Sequence, residues 1–285
     1  MISVYILLNI FIICALLQSF FISTLALSEN RVWLVYRIVG KDYTNFLFRG
    51  DLPLTNGQFN YNDLYSYMQI KALLDDITLP TDANDIYMID ISFMNIIDQP
   101  QAEVDFWKNN PNLGEFINYP LGVSGLTHPS DYSNVTQRNE IALTTAWDFD
   151  QIPQRLQILH QILHSAGPIN ESTGKPRHKV VYMHCQAGCD RTGQVVIGWR
   201  LLTAPKNDLQ NKQLLEKLFA LNVKECGRPP NDFSVGGTEW FCIWMNLTLG
   251  ADIGNCLHIA DCHRFKACSF PPKNPNGTND YDDTK

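Results

Sequence analysis

The sequence contains the stretch His184-Cys185-Gln186-Ala187-Gly188-Cys189-Asp190-Arg191-Thr192-Gly193, in which five residues separate a cysteine from an arginine. The apolar and β-branched run 179–183 precedes it and predicts a buried strand. The apolar run 195–202 follows it and predicts a buried helix. A tight loop between a strand and a helix N-terminus brings backbone N–H groups together around an anion. The stretch therefore predicts a phosphate-binding loop.

The residue types in this loop suit the hydrolysis of a phosphate ester. Gly188 supplies the backbone freedom that a tight curl requires. The loop N–H groups, the helix dipole and Arg191 favour the thiolate form of Cys185 near neutral pH. Arg191 can hold two phosphate oxygens with its planar guanidinium group, which a lysine cannot do. Cys185 is the expected nucleophile, and attack on phosphorus would give a phosphocysteine intermediate.

The remaining residues of the loop have expected supporting roles. Thr192 is placed to donate its hydroxyl to the sulfur in the second step, and His184 to orient the loop through backbone hydrogen bonds. Phosphate is expected to bind to the part of the loop formed by Gln186, Ala187, Gly188, Cys189, Asp190, Arg191 and Gly193. The alternative is an ordinary strand–helix turn with a buried cysteine and an ion-paired arginine.

These residues resemble the signature of the Cys-based protein tyrosine phosphatases, His-Cys-x5-Arg-Ser/Thr-Gly. The match is to the dual-specificity and phosphoinositide-phosphatase branch more than to the large receptor-type enzymes. The resemblance implies an α/β fold of three layers, with a central, mostly parallel sheet flanked by helices. It also implies a phosphoric monoester hydrolase that needs no metal and no cofactor. The segment 46–53, which ends in Arg49-Gly50-Asp51-Leu52-Pro53, looks like the Arg-x-Gly-x-Pro opening of dual-specificity folds, although its glycine directly follows the arginine.

The order of predicted elements extends this resemblance over roughly residues 45–250. Apolar patterning predicts strands at 86–91 and 116–121, with Pro120 at the end of the second. A polar loop at 165–178 precedes the catalytic strand. Helices are predicted over 61–74, 152–165, 209–221 and around 238–247.

The general acid is expected on a loop upstream of the nucleophile. Asp150 lies in the stretch 147–153, 35 residues before Cys185 and just before a predicted helix. The mobile acid loop of phosphoinositide-type phosphatases has this arrangement, so the resemblance favours Asp150 as proton donor and then as activator of water. Asp150 also suits a helix N-cap. Asp148 is the second candidate, and Asp190 the third, since Asp-Arg-Thr resembles myotubularin-type lipid phosphatases.

Composition predicts one globular domain behind the leader, over 29–265, and a mobile tail over 266–285; the resemblance implies that this is a phosphatase domain with a cysteine-rich C-terminal end. The net charge of −7 argues against nucleic acid as a partner. The loop carries no cation except Arg191, which weakens the case for a multiply phosphorylated lipid. The expected substrate is a phosphorylated protein or a small phosphomonoester. A phosphoinositide phosphatase, a catalytically silent phosphate-binding module and an interaction domain with Cys185 in a disulfide are the alternatives.

The N-terminal segment predicts the secretory pathway. Residues 1–28 carry no charged side chain, and 26–28 (Ala-Leu-Ser) fit a signal-peptidase site before Glu29. No basic residue precedes the apolar run, which is long enough to span a bilayer, so an uncleaved anchor is the alternative and would bring a membrane contact. Glycosylation triplets support a secreted or lumenal location; they begin at Asn134, Asn170, Asn246 and Asn276.

The cysteines agree with an oxidising compartment. Of eight, Cys14 lies in the leader and Cys185 is the expected nucleophile, which leaves an even number for disulfides: Cys189, Cys226, Cys242, Cys256, Cys262 and Cys268. A zinc site formed by 256–268 with two histidines is the alternative, although its spacing matches no common zinc pattern. Cys189 can instead remain free or pair reversibly with Cys185.

Overall fold

A computed structural model describes residues 27–122, 127–211 and 213–257. Most of the predicted leader and all of the predicted tail lie outside these ranges, as do Cys14, Cys262, Cys268 and Asn276. Within the described ranges, no helix has both the length and the apolar character needed to cross a bilayer.

The centre of the fold is a sheet of five strands in the order β1-β2-β7-β5-β6. The strands are β1 (Trp33–Val39), β2 (Thr44–Gly50), β5 (Ile86–Ser92), β6 (Gly114–Asn118) and β7 (His178–His184). Only β1 is antiparallel to its neighbour; the other pairs are parallel. Two short strands, β3 (Leu54–Thr55) and β4 (Gln58–Phe59), form a separate hairpin.

Helices cover both faces of the sheet, which confirms the predicted α/β class. The helices are α1 (Tyr61–Leu73), α2 (Gln101–Asn109), α3 (Val135–Leu143), α4 (Ile152–Leu163), α5 (Arg191–Thr203), α6 (Lys206–Leu209), α7 (Leu214–Cys226) and α8 (Asp232–Leu249). The helices α1 and α2 pack on one face, and α3, α4, α5, α7 and α8 on the other.

Strand β7 shows why the sheet is buried on both sides. Val180 and Tyr182 belong to the core beneath α1 and α2, while Val181 and Met183 belong to the opposite core. All four side chains are fully buried. A central parallel strand is covered on both faces, so its sequence is continuously apolar rather than alternating.

Three predicted boundaries are wrong. The helix predicted over 209–221 is α7, which begins and ends later in the chain by about one turn. The short helix α6 begins after Pro205 and occupies the start of the predicted range. A turn follows it, in which the Asn211 side chain accepts from the Gln213 N–H. The helix predicted around 238–247 is α8, which begins at Asp232, six residues before the predicted start, because Asn231 caps it there. The strand predicted over 116–121 ends at Asn118, before Pro120.

Candidate active site

The predicted strand, loop and helix are confirmed around the cysteine–arginine stretch. Strand β7 ends at His184 and helix α5 begins at Arg191, so the loop between them lies at the carboxyl end of the sheet. Gly188 has a φ of +73°, a left-handed conformation that favours glycine. A Cβ atom there would lie 2.5 Å from the carbonyl oxygen of Gly50. The curl therefore requires glycine at this position.

The carbonyl oxygens of the loop are bound by neighbouring elements. The Leu52 N–H donates to the Gln186 carbonyl at 3.3 Å, and the Asn222 side chain donates to the Cys189 carbonyl at 3.2 Å. Arg31 and Arg49 donate to the carbonyls of Ala187 and Gly188. Among the described residues, none accepts a hydrogen bond from a backbone N–H of 186–190. The loop thus keeps its donors for a ligand.

Cys185 is a free thiol with a relative exposure of 2%. The buried hydroxyl of Thr192 has no hydrogen-bond partner among the described residues, which leaves it able to donate to a sulfur or a phosphate oxygen. One Nη atom of Arg191 donates to the Phe93 carbonyl at 3.1 Å, which fixes the guanidinium group at this edge of the sheet.

His184 lies in a buried cluster of charged groups. Its Nε2 is 2.8 Å from an Oε of Glu103 and 3.3 Å from an Oδ of Asp90. Burial lowers the pKa of His184, but the charges of Glu103 and then Asp90 outweigh it and hold this pKa well above its ordinary value. Burial raises the pKa of Glu103 to about 7, although the charge of His184 opposes the rise.

The His184 ring thus lies against the two carboxylates, and its backbone carbonyl accepts from the Phe93 N–H at 2.9 Å. The ring atom and the two carboxylates lie within 4.8 Å of one another, close enough to hold a metal ion. The separation of 2.8 Å between Nε2 and the Glu103 oxygen is that of a close ion pair. The recorded contacts are those of a buried ion-pair cluster, in which Glu103 and Asp90 balance the charge of His184.

Asp148 and Asp150 have different environments. The Ile152 N–H, at the start of α4, donates to Asp148 at 2.8 Å, so Asp148 caps this helix. The capping role considered for Asp150 is therefore filled by its neighbour. Asp150 is 4% exposed, and the Gly122 N–H donates to its carboxylate at 3.1 Å.

A short path of contacts joins Asp150 to the loop. Gly122 follows Leu121, whose N–H donates to the Phe93 carbonyl at 3.4 Å. The same carbonyl accepts from Arg191. The structure therefore brings the first-choice acid to the edge of the sheet that carries Cys185, although 35 residues separate the two.

Asp190 is the weakest acid candidate. The Arg228 guanidinium donates to both of its carboxylate oxygens, and the Asn231 N–H donates to one of them at 2.7 Å. These contacts anchor the loop to the connection between α7 and α8. The carboxylate is engaged in holding the loop in place, which does not suit a proton donor.

The disulfide prediction is only partly right. Cys242 and Cys256 form a disulfide, which removes Cys256 from the alternative zinc site. Cys189 and Cys226 are free thiols, so Cys226 does not form the expected disulfide and Cys189 takes the free state considered as its alternative. Both are buried, and the Cys189 thiol donates to the Cys226 carbonyl at 3.3 Å. The adjacent Cys189 side chain is the largest factor lowering the pKa of Cys226, to about 7. Cys226, not Cys185, is therefore the thiol beside Cys189.

Sequence patterns missed several residues behind the loop. Glu103, Glu225 and Arg228 belong to no signature and lie far along the chain from the loop. Arg49 belongs to the segment 46–53 that looks like the opening of dual-specificity folds, but nothing in the sequence assigned it a contact. Its burial, at 1% exposure, marks it as a structural arginine.

Comparisons with known proteins give distant likenesses. No family profile matches the sequence, and no curated protein is significantly similar to it. A solved structure of OH1, a tyrosine phosphatase of Orf virus, aligns with 74% of this chain and 85% of its own, at 10% identity and a TM-score of 0.29. A Legionella phosphoinositide phosphatase aligns with 78% of this chain, at 12% identity and a TM-score of 0.25. The chain covers 33% of that protein. Both scores are low, so we base the functional proposal on the site.

Asp51, beside the loop, gives a prediction for stability. Burial raises the pKa of Asp51 to about 6, although the Ser28 N–H opposes the rise. The folded state thus holds this proton more tightly than the unfolded state, and stability falls as pH rises from about 4 through about 6. Near neutral pH, the free energy of unfolding of Asp51→Asn should exceed that of the wild type by about 1–3 kcal/mol. Below about pH 4, where Asp51 is protonated in both states, the two proteins should be equally stable. Urea unfolding at both pH values measures this, and an equal gain at both would contradict it.

Proposed function

We propose that this protein is a phosphoric monoester hydrolase that acts through a phosphocysteine, of the tyrosine or dual-specificity type. The loop between β7 and α5 carries the proposal. Its carbonyl oxygens are bound from outside, its N–H groups have no partner among the described residues, and it begins at a free cysteine and ends at an arginine. This arrangement suits an anion held against a nucleophile.

The proposed reaction has two steps. The Cys185 thiolate attacks phosphorus while the loop N–H groups and Arg191 hold the phosphate oxygens. Asp150 protonates the departing oxygen, so the S–P bond forms as the P–O bond breaks. Asp150 then takes a proton from water, which attacks phosphorus and releases the thiolate. The unpartnered hydroxyl of Thr192 stabilises that thiolate as it leaves.

The burial of the nucleophile favours an aryl phosphate. At 2% exposure, Cys185 is best reached by a long, rigid group such as the ring of phosphotyrosine. The second candidate is a phosphoinositide, favoured by Arg31, whose guanidinium donates to the Ala187 carbonyl and adds a cation beside the loop. Hydrolysis of a phosphotyrosine peptide and of a short-chain phosphoinositide, by wild type and Arg31→Gln, separates the two.

The direct test is hydrolysis of an aryl phosphate by the purified protein in the presence of a chelator. Turnover supports the proposal, and a requirement for a divalent metal contradicts it. Phosphate binding without turnover would indicate the silent binding module. Arg191→Ala should lose both turnover and the binding of inorganic phosphate, because the bidentate guanidinium contributes to both.

We also propose that the chain passes through the secretory pathway. Its support is the charge-free segment 1–28 and the Cys242–Cys256 disulfide, a bond that persists in oxidising compartments. An intact leader on a cytosolic protein with reduced cysteines would overturn this proposal without touching the catalytic one.

Glycan attachment should distinguish the acceptor asparagines. The glycan is attached through Nδ2. In Asn170 this atom donates to Asp85, and in Asn246 it donates to the Ile253 carbonyl. Asn134 is exposed and uses only its Oδ1 to cap α3. Among these three sites we expect a glycan on Asn134 alone. Endoglycosidase treatment followed by peptide mass spectrometry measures this. The control variant Asn134→Gln should carry no glycan at these three sites, and a glycan on Asn170 would contradict the prediction.

A further inference from the structure

Arg49 is a buried side chain that contacts the loop from behind. It lies on β2, and one Nη atom donates to the Gly188 carbonyl. The other donates to Glu225 on α7 at 2.8 Å. With a relative exposure of 1%, Arg49 is among the largest fully buried side chains of the described structure.

A buried charge of this kind requires compensation. Removing an arginine from water is unfavourable unless its charge is paired and its donors are bound. Glu225 supplies the pairing, and Arg200 on α5 donates to both oxygens of Glu225. Three charged groups from three elements therefore converge behind the loop. Only Arg49 among them contacts the loop.

The carbonyl that Arg49 holds belongs to the residue where the loop bends. Gly188 has its φ at +73° and lies against the end of β2. In a trans peptide the C=O of one residue and the N–H of the next point in opposite directions. Holding the Gly188 oxygen outward therefore aims the Cys189 N–H to the inner side of the loop, where a phosphate would bind.

We propose that Arg49 is a positioning residue for anion binding: it fixes the Gly188–Cys189 peptide, and Glu225 holds the Arg49 guanidinium in the required orientation. This inference rests on the proposed function of the loop. It assigns a role to a side chain that is too deeply buried to touch the substrate.

The test compares the affinity for inorganic phosphate in variants of the full chain. Arg49→Lys keeps the charge, but a single amine cannot hold Gly188 and Glu225 in the same fork geometry. We expect phosphate affinity to fall by about ten-fold, the scale of one charge-assisted hydrogen bond, with a matching rise in KM. Arg49→Gln combined with Glu225→Gln removes both charges, which avoids an unpaired buried carboxylate, and should show the same loss.

Arg200→Gln is the matched control. It weakens the same buried ion pair without touching the loop, so thermal stability should fall while phosphate affinity stays at the wild-type value. Wild-type affinity in Arg49→Lys, or an equal loss in Arg200→Gln, would overturn the positioning role. Calorimetry separates the two proposals: a wild type that binds phosphate without hydrolysing esters contradicts the proposed function alone, and one that binds no phosphate overturns both.

Discussion

Replacement of Cys185 with serine is expected to abolish hydrolysis of an aryl phosphate, with a loss of at least about 10³-fold in kcat. A serine hydroxyl is not ionised at neutral pH and lacks the nucleophilic strength of a thiolate. The loop N–H groups and Arg191 are unchanged by this substitution, so inorganic phosphate should still bind. Steady-state kinetics and calorimetry on the same preparation measure the two properties separately.

Cys226→Ser is the control for this prediction. Cys226 is also a buried, free thiol close to the loop, but it lies on α7 behind Cys189. It should retain most of the wild-type activity. Undiminished turnover in Cys185→Ser would refute the phosphocysteine mechanism. Loss of turnover in both variants would instead indicate a general sensitivity of the loop to its packing.

The loop itself is predictable because its parts are contiguous. A continuously apolar strand, a glycine that permits positive φ and an arginine at the start of a helix all fall within fourteen residues, 178–191. Local geometry then determines the rest: a strand followed by a helix leaves a short loop at the carboxyl end of the sheet. The stretch from Cys185 to Arg191 was thus sufficient to predict both the fold class and the candidate site.

The supporting contacts are not predictable in this way. Arg49 and Glu225 are 176 residues apart, and no periodicity connects β2 with the end of α7. Glu103 approaches His184 only because α2 packs against the face of the sheet that β5 and β7 share. Such pairings depend on tertiary packing, which a single sequence does not encode as a local pattern.

The cysteines show the same limit. Parity counted Cys226, and Cys189 unless it remained free, among the disulfide cysteines, yet both are free thiols. Only Cys242 and Cys256, at 14 residues' separation, form a disulfide among the described residues. Counting cysteines gives no connectivity, because an even set of four or more allows several pairings. The three-dimensional neighbours decide which thiols meet.

Asp150→Asn is expected to lower kcat by about 10²–10⁴-fold for substrates with poor leaving groups, the usual scale of general acid catalysis. Asparagine keeps an oxygen that can accept from the Gly122 N–H, so the segment that carries residue 150 should keep its conformation. It has no proton of suitable acidity to give to the departing oxygen. An activated aryl phosphate needs little protonation of its leaving group, and its hydrolysis should fall much less.

Asp148→Asn separates this role from the neighbouring carboxylate. The amide oxygen that this change introduces can still accept from the Ile152 N–H, so α4 should keep its cap and kcat should stay near the wild-type value for both substrates. The dependence on the leaving group is what makes the pair informative, because a general loss of stability would lower both activities together. If Asp148→Asn shows the leaving-group dependence and Asp150→Asn does not, Asp148 is the acid and our assignment is wrong.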